Sequence, residues 1–323
     1  MSRKIALISD HASPLASAGS VDSGGQNVYV AQVARQLARL GYHVDIFTRR
    51  DAGNLPEVLE WQPRVRVVHV PAGPAAFVRK EELLPLMDDF CRYVCDFARR
   101  SGGYMAAHAN FFLSTLPAME MKRALGIPFV VTFHALGRVR RMHQNGADEF
   151  PAERMDIEDA AIAQADAVIA ECPQDEDDLV GHYRAPRRKL ALIPCGFDKA
   201  EFWPIARPFA RRALGLDPKE RIVLNIGRLV PRKGVDNAIR ALGRLAREHR
   251  IAARLLVVGG NSDLPCPLLT PEIGRLKDIA AEEGVVERVL FTGRRSREFL
   301  KLYYSAADVF VTTPWYEPFG ITP

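Results

Sequence analysis

No apolar run in this sequence approaches the roughly 18 residues that a membrane-spanning helix requires, so none is predicted. The amino terminus, Met1-Ser2-Arg3-Lys4 followed by Ile5 to Asp10, is basic, but its apolar stretch is too short for a secretory signal, and a cytoplasmic protein is expected. Cysteine is sparse. Cys91, Cys95, Cys172, Cys195 and Cys266 include no pair at two-residue spacing, which argues against a metal or dithiol motif, and an odd number of cysteines argues against a disulfide framework. Cys91 and Cys95 fall one helical turn apart, where packing on a buried helix face outweighs metal or redox chemistry. No basic repeat with interleaved aromatics is present, so no nucleic-acid partner is expected. The excess of 44 basic over 39 acidic residues, a net charge of +5, mixes both signs and favours anionic small ligands only weakly. Neither the dinucleotide glycine fingerprint nor a Walker loop occurs, and there is no solenoid repeat or low-complexity tract.

What is present is a regular alternation of strand and helix over 323 residues, enough for two domains at roughly 100 to 200 residues each. Strands are predicted at Ile5–Ser9, His43–Thr48, Val65–Val70, Ala106–Ala109, Pro128–His134, Ala167–Ala170 and Leu190–Ile193. Helices fall at about 26–40, 81–100, 152–164 and 175–183, with another through Met119 and Leu125. The pattern lapses between Pro194 and Pro208, where the linker is placed, giving domains 1–203 and 204–323. It then resumes with strands at Arg221–Ile226, Arg254–Val258, Val289–Thr292 and Asp308–Thr312, with helices between them. The predicted class is α/β, two Rossmann-like doubly wound parallel sheets in sequence.

Three stretches carry candidate chemistry at the carboxyl ends of these strands, the edge on which open α/β sheets bind ligands. The first is Asn225 to Gly234, in which Arg228 and Lys233 form a potential phosphate clamp, one a planar fork and the other a mobile point charge. A solvated basic turn is its competing reading. The second is His134, with Arg138, Arg140, Arg141 and His143 close behind it on what reads as one loop. These could line an anionic acceptor pocket, or form a solvated helix face beside a satisfied histidine. The third is Trp315 to Gly320, where Glu317 would accept hydrogen bonds from sugar hydroxyls; an ordinary turn with a surface acid is the alternative. Gly24 and Gly25 add a βα turn whose amides could approach an anion or a sugar.

Together, Ser23 to Val30, His108 to Phe112, His134, Gly227-Arg228 with Lys233-Gly234, and Glu317 to Gly320 resemble the retaining glycosyltransferases of family 4. The likeness is to the branch of sucrose-phosphate synthases and inositol-phosphate N-acetylglucosaminyltransferases, and it covers nearly the whole chain. It implies a GT-B fold of two domains facing a cleft and a metal-independent reaction that needs no cofactor beyond a nucleoside diphosphate sugar. The acceptor implied is a polyol or sugar phosphate. By position, Arg228 and Lys233 would neutralise the donor diphosphate, with Gly24, Gly25, Gly227, Phe319 and Gly320 beside the donor. Glu317 would bind donor hydroxyls and His134 would face the donor sugar. Gln26, Asn27 and Asn110, with Arg138, Arg140 and Arg141, would serve the acceptor. The second acid of the family's Glu-x(7)-Glu motif would lie past Pro323, so a fragment is expected, with the second domain incomplete. Ala106 stands where an acid often precedes the His-Ala-Asn segment. A GT-B nucleotide-sugar epimerase and an inactive nucleotide-sugar-binding remnant are the rival readings.

Overall fold

Short runs of branched apolar residues form the strands of two parallel sheets, as segments covered on both faces should. The computed structural model describes residues 3–16, 24–144, 148–315 and 317. It divides into two compact units, with the break after Cys195.

The first unit holds β1 (Lys4–Ile8), β2 (His43–Arg49), β3 (Val58–Gln62), β4 (Val65–Val70), β5 (Ala106–Asn110), β6 (Phe129–Thr132), β7 (Ala167–Ala170) and β8 (Leu190–Leu192). Their order is β3-β4-β2-β1-β5-β6-β7-β8, parallel throughout except for the antiparallel β3–β4 pair. From β1 the chain winds outward through β2 and β4, then returns to β5 and winds the other way. The strand order therefore reverses between β1 and β5, and a crevice is expected beyond their carboxyl ends. The helices are α1 (Gly25–Arg39), α2 (Met87–Arg100), α3 (Phe112–Leu125), α4 (Gly137–Gln144), α5 (Arg154–Gln164) and α6 (Pro173–Tyr183). Val30 and Ala34 of α1 pack with Leu7, Val44, Ile46, Val65 and Val67. Phe47, turned to the opposite face by strand alternation, meets Phe97 of α2 with ring centroids 5.4 Å apart.

The second unit holds β9 (Ile222–Ile226), β10 (Arg254–Val258), β11 (Val289–Gly293) and β12 (Val309–Phe310), in the order β11-β10-β9-β12, all parallel. Its helices are α7 (Arg207–Ala213), α8 (Val235–His249), α9 (Pro271–Glu282) and α10 (Arg297–Ala306). Alternation along β10 feeds two cores. Leu255 and Val257 join Ile239, Leu242 and Leu276, whereas Leu256 and Val258 join Leu224, Ile226 and Tyr303. Here the order reverses between β9 and β12.

The stretch after Cys195, within which the linker is expected, groups with the second unit and is fastened to α10. Arg297 donates to Glu201 at 2.5 Å and lies over Phe202, Lys301 lies 3.5 Å above the Trp203 ring, and the Ile205 N–H donates to Ser305 Oγ at 3.0 Å. The helix expected from residue 81 is regular only from Met87; its first turns are 3-10, with Pro85 inside them, where a missing N–H disfavours continuous α-helix. Strand β3 was not foreseen, and the basic loop after His134 is the helix α4. All five cysteines are free; Cys95 is buried on α2, and burial pushes its thiol up to about 11. No described helix is long and apolar enough to cross a membrane.

Candidate active site

In the first unit, polar side chains gather at the carboxyl edge where the strand order reverses. Gln26, in the first turn of α1, bridges the two strands concerned: its Nε2 donates to Ser9 Oγ at 3.2 Å and to the Asn110 carbonyl at 3.1 Å. Asn27 is buried and ties down the helix start. Its Oδ1 accepts from the Gly24 N–H at 2.9 Å and its Nδ2 donates to the Ser13 carbonyl at 2.8 Å. Gly24 is extended at φ −145°, and a Cβ built there meets nothing within 4 Å, so the described structure places no steric demand for glycine at that position. Asp10, which follows β1, accepts from Ser114 Oγ at 2.5 Å and pairs with His11 Nδ1 at 2.9 Å.

His134 lies just beyond β6 with a left-handed φ of +58°, a strained conformation for a side chain with a Cβ. Its Nδ1 is 3.2 Å from Glu171 Oε2 and its Nε2 is 3.1 Å from Asn110 Oδ1. The Tyr29 ring meets it edge-on at 4.9 Å, and burial pushes the Tyr29 phenol up to about 12. Glu171 was missed in the sequence. It follows β7 directly, so an acid placed at the end of a buried strand was the available signal.

Beneath this turn lies an ion pair fully sealed from solvent. Arg154 Nε donates to Glu158 Oε1 at 2.8 Å, and both side chains are 0% exposed. Glu158 also accepts from the Gly137 N–H at 3.1 Å and from the Tyr183 hydroxyl, and Arg154 donates to the Ala135 carbonyl. Phe111, Phe112 and Phe150 surround the guanidinium at 4.6 to 5.0 Å. The pair therefore clamps both ends of the Ala135-Leu136-Gly137 segment.

The arginines of α4 are already engaged. Arg138 binds Asp159 with two bonds of 2.7 and 2.6 Å and stacks on Tyr183; Arg140 donates to Asp148 at 2.8 Å, and Arg141 lies 3.7 Å from the same carboxylate. Counting the cations of one segment overlooked acids that approach from residues 148 and 159.

In the second unit the polar edge again falls where the strand order reverses. Asn225 Nδ2 donates to the Val311 carbonyl at 2.9 Å, joining β9 to the segment after β12. Beyond them Lys233 Nζ pairs with the Glu317 carboxylate, with the lysine side chain 16% and the glutamate 21% exposed. Burial lowers the Lys233 ammonium from the ordinary lysine value, against the opposing pull of Glu317; Arg232 and Arg228 add to the lowering. Arg228 is exposed, and the Gly227 N–H donates to the Val258 carbonyl at 3.1 Å. Phe319 and Gly320 lie outside the described residues. Among the described residues no group of three or more His, Cys, Asp or Glu is arranged to hold a metal.

Two Rossmann-like units in one chain, each with a polar edge at its strand reversal, are the architecture of the GT-B class. The chain belongs to glycosyltransferase family 4: the Glycosyltransferase Family 4 model matches residues 23–201, and the Glycosyl transferases group 1 model matches residues 206–323. It is 36% identical to the D-inositol 3-phosphate glycosyltransferase of Actinosynnema mirum over 99% of this chain and 77% of that protein. The protein of the same name from Rhodococcus opacus is 34% identical, over 99% of this chain and 72% of the relative. Among solved structures, the sucrose-phosphate synthase of Thermosynechococcus elongatus superposes with a TM-score of 0.84 at 34% identity, covering 98% of this chain and 77% of that one.

Proposed function

We propose that this glycosyltransferase moves a hexosyl group from a nucleoside diphosphate sugar to a small phosphorylated acceptor, with retention at the anomeric carbon. The observation that carries the reading is the Lys233–Glu317 pair at the strand reversal of the second unit. A desolvated ammonium is a strong partner for an anion, and Arg228 stands near enough to depress it. In the reaction the bond from the anomeric carbon to the diphosphate breaks, and negative charge builds on the departing oxygen. Lys233 and Arg228 stabilise that charge, which is where electrostatic catalysis is most effective. The acceptor hydroxyl attacks from the same face and gives its proton to the departing phosphate, so no protein nucleophile is required. Glu317 takes donor hydroxyls, and His134 faces the donor sugar. The amides at Gly24 and Gly25 begin a helix, where an anion is favoured. Gln26 and Asn110 serve the acceptor. The relatives' names specify inositol phosphate and sucrose phosphate, which supports a phosphorylated acceptor here.

The test is incubation of the protein with labelled UDP-, GDP- and ADP-hexoses and a panel of inositol and sugar phosphates, with NMR assignment of the product anomer. Transfer with retention is expected. Inversion of the donor at C2 without transfer supports an epimerase instead, and binding without turnover supports an inactive module.

A further inference from the structure

Three neighbouring strand ends close on one imidazole ring. Asn110 ends β5, His134 lies just past β6, and Glu171 follows β7. The Asn110 amide has one possible orientation, because its Nδ2 donates to the carbonyls of Ile8 and His108, both at 3.3 Å. Its Oδ1 therefore faces His134 Nε2, which must carry a hydrogen to make that 3.1 Å bond. Nδ1 points at a carboxylate oxygen 3.2 Å away, so a second proton lies on that line, shared between ring and carboxylate. Both side chains are 5% exposed, which removes water as a competing partner.

Other groups brace the pair. The Cys195 thiol donates to Glu171 Oε1 at 3.5 Å, and the Glu171 N–H donates to Asp175 at 3.1 Å. Tyr29 covers the ring from α1, and His108, bonded to Thr132 at 2.9 Å, lies beside it on β5. The left-handed backbone of His134 opposes its own position, so side-chain partners hold it there.

We propose that Glu171 is a positioning residue for glycosyl transfer, fixing the plane and the proton placement of the His134 ring. The inference rests on the reading above, in which His134 faces the donor sugar. Without the carboxylate the ring can flip and exchange tautomers, and the edge it offers is no longer defined.

Long-range proton–nitrogen NMR of the His134 ring near pH 7, with steady-state kinetics, tests this on the whole chain carrying Glu171→Gln, Glu171→Asp or no change. In the unaltered protein Nε2 should give a protonated-type signal and Nδ1 the signal of a nitrogen hydrogen-bonded to the carboxylate. In Glu171→Gln the Nδ1 signal should move to the unprotonated range. Its kcat should fall about a hundredfold, the order of effect expected from a misplaced group, with KM for both substrates within about twofold. Glu171→Asp should recover part of kcat. Unchanged nitrogen signals and kcat in Glu171→Gln would overturn the proposal, as would a loss of kcat that merely tracks a fall in Tm. If the unaltered protein transfers no sugar, the functional reading falls, while the nitrogen signals still confirm or refute the hydrogen-bond arrangement.

Discussion

Arg154 and Glu158 form an ion pair 2.8 Å long with neither side chain exposed to solvent. One turn apart on α5, they hold the turn that follows His134 through the Ala135 carbonyl and the Gly137 N–H. Removing one partner of such a pair strands the other charge in a dry interior, which costs about 3–5 kcal/mol. Arg154→Met should lower stability by about that much in urea unfolding. Adding Glu158→Leu should restore only part of the loss, because the Gly137 N–H and the Tyr183 hydroxyl lose their acceptor as well. An unfolding midpoint for Arg154→Met equal to that of the unaltered protein would contradict the pairing.

Lys233 and Glu317 should prove coupled in catalysis. Lys233→Met should reduce kcat by about 10²–10³, the loss typical of a group that meets charge developing in the transition state. Because the two side chains touch, the double variant with Glu317→Gln should be less impaired than the product of the single effects predicts. Strictly multiplicative effects would show that the two act independently.

Two glycines with similar backbone angles should respond differently to alanine. Gly234 has φ +62° and Gly284 has φ +69°, so each substitution incurs about 1–2 kcal/mol of left-handed strain. A Cβ on Gly284 meets nothing within 4 Å, whereas one on Gly234 collides with the Thr313 carbonyl, and Thr313 Oγ1 itself bonds the Gly234 carbonyl at 2.6 Å. Gly234→Ala should therefore unfold at clearly lower urea than Gly284→Ala, and it alone should impair donor binding. Equal midpoints would show that the turn relaxes without consequence.

Acid should destabilise the protein partly through His108. Burial lowers its imidazole from an ordinary 6.5 to about 3, with the charge of His134 adding to the effect. Between those values the unfolded chain binds a proton that the folded chain refuses. The stabilisation is complete above the unfolded value and is lost as pH falls through the window, at up to about 1.4 kcal/mol per pH unit. Urea midpoints measured across that window should fall more steeply for the unaltered protein than for His108→Asn. Parallel slopes would remove His108 as the cause.

The strands of both sheets were legible because a buried parallel strand writes itself as a short branched apolar run, as in Ile222 to Ile226 and Arg254 to Val258. Helix ends were legible where glycine marks them, as at Gly41 after α1. Strand β3 escaped because Val58–Gln62 is a half-buried edge segment with little alternation of its own. The fastening of the stretch after Cys195 was not legible, because Phe202 and Trp203 look like linker aromatics until α10 brings Arg297 and Lys301 over their rings.

By itself the sequence determined the doubly wound class and the carboxyl edge of the strands as the place where chemistry would lie. Those follow from local pattern and from residue type at strand ends. Only the tertiary structure decided which charges are already neutralised. Arg138, Arg140 and Arg141 have carboxylates from Asp159 and Asp148, while Lys233 meets Glu317 across residues far apart in the chain. It also brought Glu171 to His134, from a neighbouring strand that no spacing rule connects to it. Charge pairing and proton placement depend on distances through space, and the packing of strands against one another sets those distances.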